Sequence, residues 1–276
     1  MPPAPCPATL GDVTPIWGRY GPFFLYGYSV LLIAGALLAL AVTAIQARRL
    51  RPVEDASRAA PAWLDGALAA AAAAIIGGRA VFVWLNVAYF TENPVEAWQP
   101  WRGGLNYHGA LLAGLAALGL WAFLTRRPFL PYAGLLAPGL ALLVAFGWAA
   151  CLADGCAYGR ATLPGLLAAD LPDDSGVLAV RYRTQLAGAV GAVVIFAVAW
   201  WASRRVRLAR LFWGTLAGLA LVHAFVALGR DDPSPVVRGF RLDLLMELGL
   251  LVVSVAGWVW AGKRTAPAVP QTTVDR

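Results

Sequence analysis

The sequence is poor in charge. Of its 276 residues only 13% are Asp, Glu, Lys or Arg, about half the share of an average soluble domain, and 60% are hydrophobic. Lysine occurs once, at Lys263, so arginine carries almost all of the positive charge behind the net balance of +7. This composition argues against a disordered chain and a soluble enzyme domain, and it predicts a polytopic membrane protein.

Cysteine is also scarce, and the common motifs of nucleotide-binding proteins and hydrolases are absent from the sequence. Three cysteines are too few for a disulfide framework, although Cys151 and Cys156 are close enough in sequence to pair in an oxidising compartment. The sequence contains no P-loop, dinucleotide fingerprint, HExxH or GxSxG. We therefore expect neither a metal nor another cofactor. The arginines form short clusters beside apolar runs, which gives no indication of a nucleic-acid partner.

Seven long apolar runs make up most of the chain. Each approaches the roughly 20 residues that a helix needs to cross a bilayer, where backbone polar groups must be satisfied within their own segment. We predict an all-α fold, a seven-transmembrane helix bundle that forms a single integral membrane domain over residues 1–276. The predicted spans are residues 22–46, 64–89, 108–125, 131–152, 184–202, 211–229 and 242–262.

The connectors between these runs alternate in charge. One set carries 13 of the 22 basic residues in short clusters, at 47–58, 126–127, 204–210 and 263–276. By the positive-inside rule this set is cytoplasmic, which places the N-terminus outside and the C-terminus in the cytoplasm. The outer connectors, at about 90–107, 153–183 and 230–241, are longer and more polar. We therefore expect the chemistry on the outer side.

Two residues stand out where the spans meet the outer connectors. His108 opens the third span behind Gly103 and Gly104, where it is either a hydrogen-bonded anchor or a group that moves a proton near neutral pH. Arg79 lies inside an apolar run, where a charge costs about 2.5–3.5 kcal/mol unless it is paired or hydrated. Either it snorkels to the interface or bonds helix-end carbonyls, or it is a functional group, in an internal ion pair or as a ligand of phosphate, which suits the planar guanidinium.

Other candidates have plainer alternatives. Cys151 and Cys156 form either a structural disulfide or a redox-active pair. His223 lies about two helical turns below Arg230, and it is either a site residue or a buried histidine bonded to a neighbouring carbonyl. Tyr26 is either a site residue or part of the interfacial aromatic belt.

Six segments in order make the chain resemble the prolipoprotein diacylglyceryl transferase family over essentially its whole length. They are FLYGYS in the first span, GGRAVFVWLN followed by ENP in the second, GGLNYHGALLAG leading the third, GCAYGR after the fourth, RYRTQL before the fifth and GRDDP after the sixth.

The resemblance implies a multi-pass enzyme of the bacterial cytoplasmic (inner) membrane whose active face is extracytoplasmic. Its donor would be the phospholipid phosphatidylglycerol and its acceptor the lipobox cysteine of a prolipoprotein signal peptide, as lipoprotein biosynthesis requires. Carried onto this sequence, the expected catalytic residues are His108 and Tyr26. The expected substrate-binding residues are Arg79, Gly103, Gly104, Gly159, Arg160, Arg181, Gln185, His223 and Arg230.

The sequence also departs from the family pattern. Trp148 and His223 stand where the family has arginines, and Cys151 stands in place of an asparagine. Cys156 and Ala227 stand in place of glutamates. Two alternatives follow: a catalytically lost paralogue that acts as a lipid-binding or scaffold protein, and a thiol-redox membrane protein that uses the two cysteines.

Overall fold

The structure is a computed structural model that describes residues 16–21, 23–50, 62–173 and 175–263. Seven of its helices are long and apolar enough to cross a membrane, which confirms the predicted seven-helix bundle. The long helices are α1 (Gly27–Leu50), α2 (Ala62–Leu85), α4 (Tyr107–Leu124), α5 (Phe129–Asp154), α6 (Thr184–Ala202), α7 (Leu208–Gly229) and α8 (Leu242–Lys263), and a short helix, α3 (Val87–Glu92), follows α2.

The ends of two predicted spans differ from the structure. The first apolar run opens as a strand, so α1 begins at Gly27 and not at residue 22. The second run ends early because Asn86 interrupts it. The Asn86 side-chain amide donates to the Phe82 carbonyl 2.8 Å away, and the chain restarts as α3 at Val87. An asparagine that bonds its own backbone favours such a break.

Short antiparallel hairpins, which the all-α prediction omits, occupy the segment before α1 and two connectors. They pair β1 (Ile16–Tyr20) with β2 (Phe23–Tyr26), β3 (Ala168–Pro172) with β4 (Leu178–Tyr182), and β5 (Val236–Val237) with β6 (Phe240–Arg241). The first hairpin precedes α1 and includes the start of the first predicted span, whereas the other two lie in the connectors at 153–183 and 230–241. Several of their large apolar side chains are exposed, among them Trp17, Phe24 and Phe240.

Small residues let the helices approach closely. A Cβ built on Gly77 of α2 would lie 2.8 Å from the Gly109 carbonyl oxygen of α4, so both positions favour glycine. The most buried helices are α5 and α7, and α5 packs against α1, α6 and α7. Trp148 near the end of α5 and His223 near the end of α7 are among their buried side chains.

Candidate functional site

A buried carboxylate joins two imidazoles near one end of the bundle. Glu247 of α8 is only 2% exposed, and its Oε1 lies 2.9 Å from His108 Nε2 and 3.1 Å from His223 Nδ1. His108 comes from α4 and His223 from α7. The structure thus brings the two histidines of the sequence, 115 residues apart in the numbering, onto one oxygen atom.

Trp148 of α5 fixes the protonation of His223. The indole Nε1 donates to His223 Nε2 across 2.9 Å. Because an indole nitrogen can only donate, His223 Nε2 carries no proton, and the ring holds its proton on Nδ1. That proton points to Glu247. Hydrogen bonds therefore run in one direction, from Trp148 to His223 to Glu247.

Local sequence sets the position of the rings. The Asn106 side chain caps α4 by accepting from the backbone nitrogen of Gly109 at 2.9 Å, which fixes the first turn that carries His108. The Tyr107 ring packs edge-on against both imidazoles, with centroid distances of 5.2 Å to His108 and 4.2 Å to His223.

This arrangement suits proton transfer by His108. His108 Nε2 lies 2.9 Å from the carboxylate, although its N–H is not aligned for a hydrogen bond. With the proton on Nε2, Nδ1 of the neutral ring keeps its lone pair and can accept a proton. The carboxylate then stabilises the imidazolium that forms, as in an acid–histidine pair of an acyl-transfer triad. An apolar run makes an unpaired carboxylate costly, and the hydrogen bond from His223 together with the close contact of His108 offsets that cost.

Both nitrogens of His223 are occupied by hydrogen bonds, so this ring has no lone pair left for a metal. Within the described part of the chain, no group of three His, Cys, Asp or Glu side chains is placed to hold a metal ion.

Arg79 anchors an outer loop. Its Nε donates to the Ala97 carbonyl at 2.9 Å, its Nη1 to the carbonyls of Gly103 at 2.7 Å and Gly104 at 3.0 Å, and its Nη2 to that of Glu96. Of the two interpretations given above, the structure favours the carbonyl-bonded arginine over the phosphate ligand.

Gly103 and Gly104 shape the same loop. Their φ angles of +98° and +78° lie in the left-handed region, where a side chain is strained. A Cβ on Gly104 would also collide with Phe82. The two glycines therefore serve the path of the backbone toward α4.

Two of the predicted phosphate-binding arginines are bonded to carboxylates. The buried Arg181 lies 2.9 Å from Asp173 Oδ2, and Arg230 donates through Nε to Asp232 Oδ1 at 2.8 Å. Arg241, which sequence analysis did not select, shares Asp232 and Asp243 with Arg230. Burial acts to lower the pKa of Arg241, but these carboxylates raise it above its ordinary value.

Arg160 is placed differently. Its backbone nitrogen donates to the Gly229 carbonyl at 2.9 Å and its carbonyl accepts from Tyr182, so the residue is fixed between the end of α7 and β4. Its exposed side chain makes no hydrogen bond or ion pair to another described residue. Gly159 is buried beside it, and a Cβ there would collide with the Tyr182 backbone.

Cys151 and Cys156 form a disulfide that closes the end of α5. The buried Gln185 of α6 donates to the Cys156 carbonyl at 2.7 Å and so ties this turn to the neighbouring helix. The geometry gives Gln185 a structural contact, whereas the sequence resemblance placed it among the substrate-binding residues.

Tyr26 belongs to a separate polar cluster. Burial acts to lower the pKa of Arg102, but Glu96 and, to a smaller extent, Tyr26 raise it above its ordinary value. Arg102 Nη1 in turn bonds Glu96 Oε1 at 2.7 Å, and the Tyr89 hydroxyl bonds Glu96 Oε2 at 2.7 Å. The hydrogen bond from Tyr89, together with Arg102, holds the pKa of Glu96 below its ordinary value.

Sequence reasoning missed Glu247. The signal was present, because Glu247 is a charged residue inside an apolar run, the same pattern that drew attention to Arg79.

A seven-helix bundle with an imidazole–carboxylate centre near one membrane interface defines an integral membrane protein equipped for proton transfer. Comparison with known proteins is more specific. The family model described as prolipoprotein diacylglyceryl transferase matches residues 15–260, and the chain belongs to that family.

Relatives from distant bacteria share most of the chain. The phosphatidylglycerol–prolipoprotein diacylglyceryl transferase of Corynebacterium efficiens is 31% identical, over 90% of this chain and 81% of its own length. That of Leptothrix cholodnii is 30% identical, over 87% of this chain and 92% of its own. That of Trichormus variabilis is 28% identical, over 95% of both chains.

Proposed function

We propose that this protein transfers the diacylglyceryl group of phosphatidylglycerol to the thiol of a prolipoprotein lipobox cysteine, with His108 as the proton acceptor. Family membership and the relatives' activity support the reaction class. The observation that most directly supports His108 as the proton acceptor is its contact of 2.9 Å, through Nε2, with the buried Glu247 carboxylate.

The chemistry is a displacement at carbon. The thiol proton passes to His108, and the thiolate sulfur attacks the glycerol carbon that bears the phosphate. A carbon–sulfur bond forms as the carbon–oxygen bond breaks, and the electron pair of the broken bond leaves on glycerol phosphate. The imidazolium then returns its proton to solvent. Glu247 favours the imidazolium and so lowers the barrier for the first step.

Glu247 and His223 act in this scheme as positioning residues. Neither needs to touch the substrate: Glu247 orients His108, and His223, held by Trp148, supplies the second donor that fixes the carboxylate. Hydrogen-bond partners behind a reactive imidazole typically determine how well the ring is oriented.

Arg160 is the proposed phosphate contact among the predicted arginines. Arg79, Arg181 and Arg230 are bonded within the protein, whereas the Arg160 side chain is exposed and has no bond to a described residue. A guanidinium with free donors binds phosphate in a planar bidentate geometry. Its backbone bonds to Gly229 and Tyr182 limit how far it moves.

The proposed orientation places the two histidines on the extracytoplasmic face of the bacterial inner membrane, with the N-terminus outside and the C-terminus in the cytoplasm. The support is the positive-inside rule. The arginine-rich turn that joins α6 and α7 lies at the opposite end of the bundle from His108.

The test is transfer from labelled phosphatidylglycerol to a lipobox peptide by the purified protein in vesicles, together with rescue of a strain depleted of its own transferase. The parent is expected to lipidate the peptide and restore growth, and His108→Gln to lose at least about 100-fold in rate, the usual contribution of a general base. Arg204→Gln, exposed at the opposite end, is the control.

Two other results would each count against the proposal. If His108→Gln supports normal growth without transfer, the chain acts as a lipid-binding or scaffold protein. If instead replacement of Cys151 and Cys156 by serine abolishes function while the fold is kept, the result favours the thiol-redox alternative. The family comparison does not favour that alternative.

A further inference from the structure

A second basic site lies at the other end of the bundle. A cavity of about 210 Å³ opens between the turn that joins α6 to α7 and the end of α8. Its described lining residues include three arginines and no acidic residue: Arg205, Val206, Arg207, Arg210, Ala261 and Gly262. A hollow with this lining attracts an anion.

Packing holds the Arg210 guanidinium in place. Its guanidinium packs over the Trp258 ring at 4.9 Å from the centroid. A Cβ at Gly262 would collide with the same guanidinium, so glycine at that position leaves the space that the arginine occupies. Arg210 Nε is buried and has no hydrogen-bond partner among the described residues. A buried charged donor without an acceptor is costly, and a bound anion would remove that cost.

The cavity lies at the opposite end of α7 from His223. Arg210 precedes His223 by 13 residues of α7, about 20 Å at 1.5 Å per residue. Beside the cavity, Arg205 packs over the Trp201 ring at 4.0 Å from the centroid and donates to the Trp201 carbonyl at 2.8 Å. Arginine with tryptophan at the end of a spanning helix is typical of the membrane interface.

The first turn of α7 adds to this attraction. The helix begins at Leu208, so backbone N–H groups of its first turn lack intrahelical acceptors and face the same end of the bundle as Arg207 and Arg210. A helix N-terminus and guanidinium groups both favour phosphate.

We propose that this cavity binds the phosphate group of an anionic phospholipid from the leaflet opposite the two histidines. The site is distinct from the proposed transfer site, because the thickness of the bundle separates the two. Free phosphate would satisfy the same guanidinium chemistry, and the experiment distinguishes the two sources.

The test uses the full-length protein in phosphatidylcholine nanodiscs with increasing phosphatidic acid, followed by native mass spectrometry and thermal unfolding. Arg210→Gln is expected to weaken retention of phosphatidic acid about tenfold or more, the loss of one charge-assisted hydrogen bond. Arg204→Gln removes the same charge from the same turn but does not line the cavity, and it should retain lipid as the parent does.

A replacement variant and a phosphate control complete the test. If Arg210→Gln does not fold, Arg205→Gln, an exposed residue that also lines the cavity, replaces it. Equal lipid retention by the parent, the cavity variants and the control overturns the proposal. Stabilisation by inorganic phosphate in pure phosphatidylcholine, with no added effect of phosphatidic acid, also overturns it and assigns the cavity to a soluble phosphate.

Discussion

Replacement of Glu247 by glutamine tests the centre most directly. The change keeps the shape of the side chain and an acceptor oxygen, but it removes the negative charge from an atom that two imidazoles share at 2.9 Å and 3.1 Å. Because Glu247 is only 2% exposed, water does not replace the lost charge. The neutral His108 is held as before, whereas its imidazolium loses the carboxylate that stabilises it.

Two limits set the size of the effect. A charge-assisted hydrogen bond is worth about 1.5 kcal/mol more than a neutral one, which corresponds to about tenfold in rate. The full attraction of two unit charges 2.9 Å apart at an effective dielectric constant of 20 is about 6 kcal/mol, or about 10⁴-fold. Glutamine retains a dipole and an acceptor, so we expect kcat to fall about 100-fold while KM stays within about twofold.

The assay is steady-state transfer from labelled phosphatidylglycerol to a lipobox peptide, with thermal unfolding as the check on folding. Glu92→Gln, an exposed glutamate at the same end of the bundle, is the matched control. In the His108→Gln background, Glu247→Gln should add little further loss, because the two residues act as one unit. A kcat within about threefold of the parent, or fully additive losses, would refute the role of Glu247.

Three further outcomes follow from the outer loops. Arg79→Gln should lower the free energy of unfolding by about 2 kcal/mol and expose the loop before α4 to limited proteolysis, because four carbonyl acceptors lose their donor. Reduction of the Cys151–Cys156 disulfide, whose cysteines are 5 residues apart, should cost about 2 kcal/mol in thermal unfolding and leave transfer intact. The pKa of Glu96 is lowered in the folded protein, so the stability that Glu96 contributes is complete above the ordinary pKa of 4.5 and is lost as the pH falls through the lowered pKa. Hydrogen exchange of the segment around Tyr89 should increase over this pH range. Glu96→Gln should remove this pH dependence.

The helices could be predicted because bilayer physics leaves few choices. A long apolar run must satisfy its own backbone, and each of the seven runs corresponds to a spanning helix. The predicted ends of the first two spans are wrong because local backbone interactions there differ from those of a continuous helix. Asn86 bonds back to Phe82 and ends α2, and the residues before Gly27 pair as a hairpin.

The candidate site was only partly predictable. His108 and His223 were selected one at a time, from position and residue type, but their convergence depends on how α4, α7 and α8 pack. For Arg79, the residue was selected from the sequence but its binding partner was not predictable. Its position inside an apolar run indicated a charge that needs a partner or water, yet sequence could not distinguish phosphate from the loop carbonyls that it bonds.

Two of the departures that the family resemblance implies, Trp148 and His223, form one structural unit. In the structure they bond to each other, with the indole donating to the imidazole across 2.9 Å. Arginine cannot accept a hydrogen bond, so the Trp148–His223 pair makes a contact that two arginines could not. That pair then directs a proton to Glu247, which in turn lies against His108. The Trp148–His223 pair therefore helps to orient the carboxylate beside the proposed proton acceptor, and in the proposed function the phosphate is bound by the exposed Arg160.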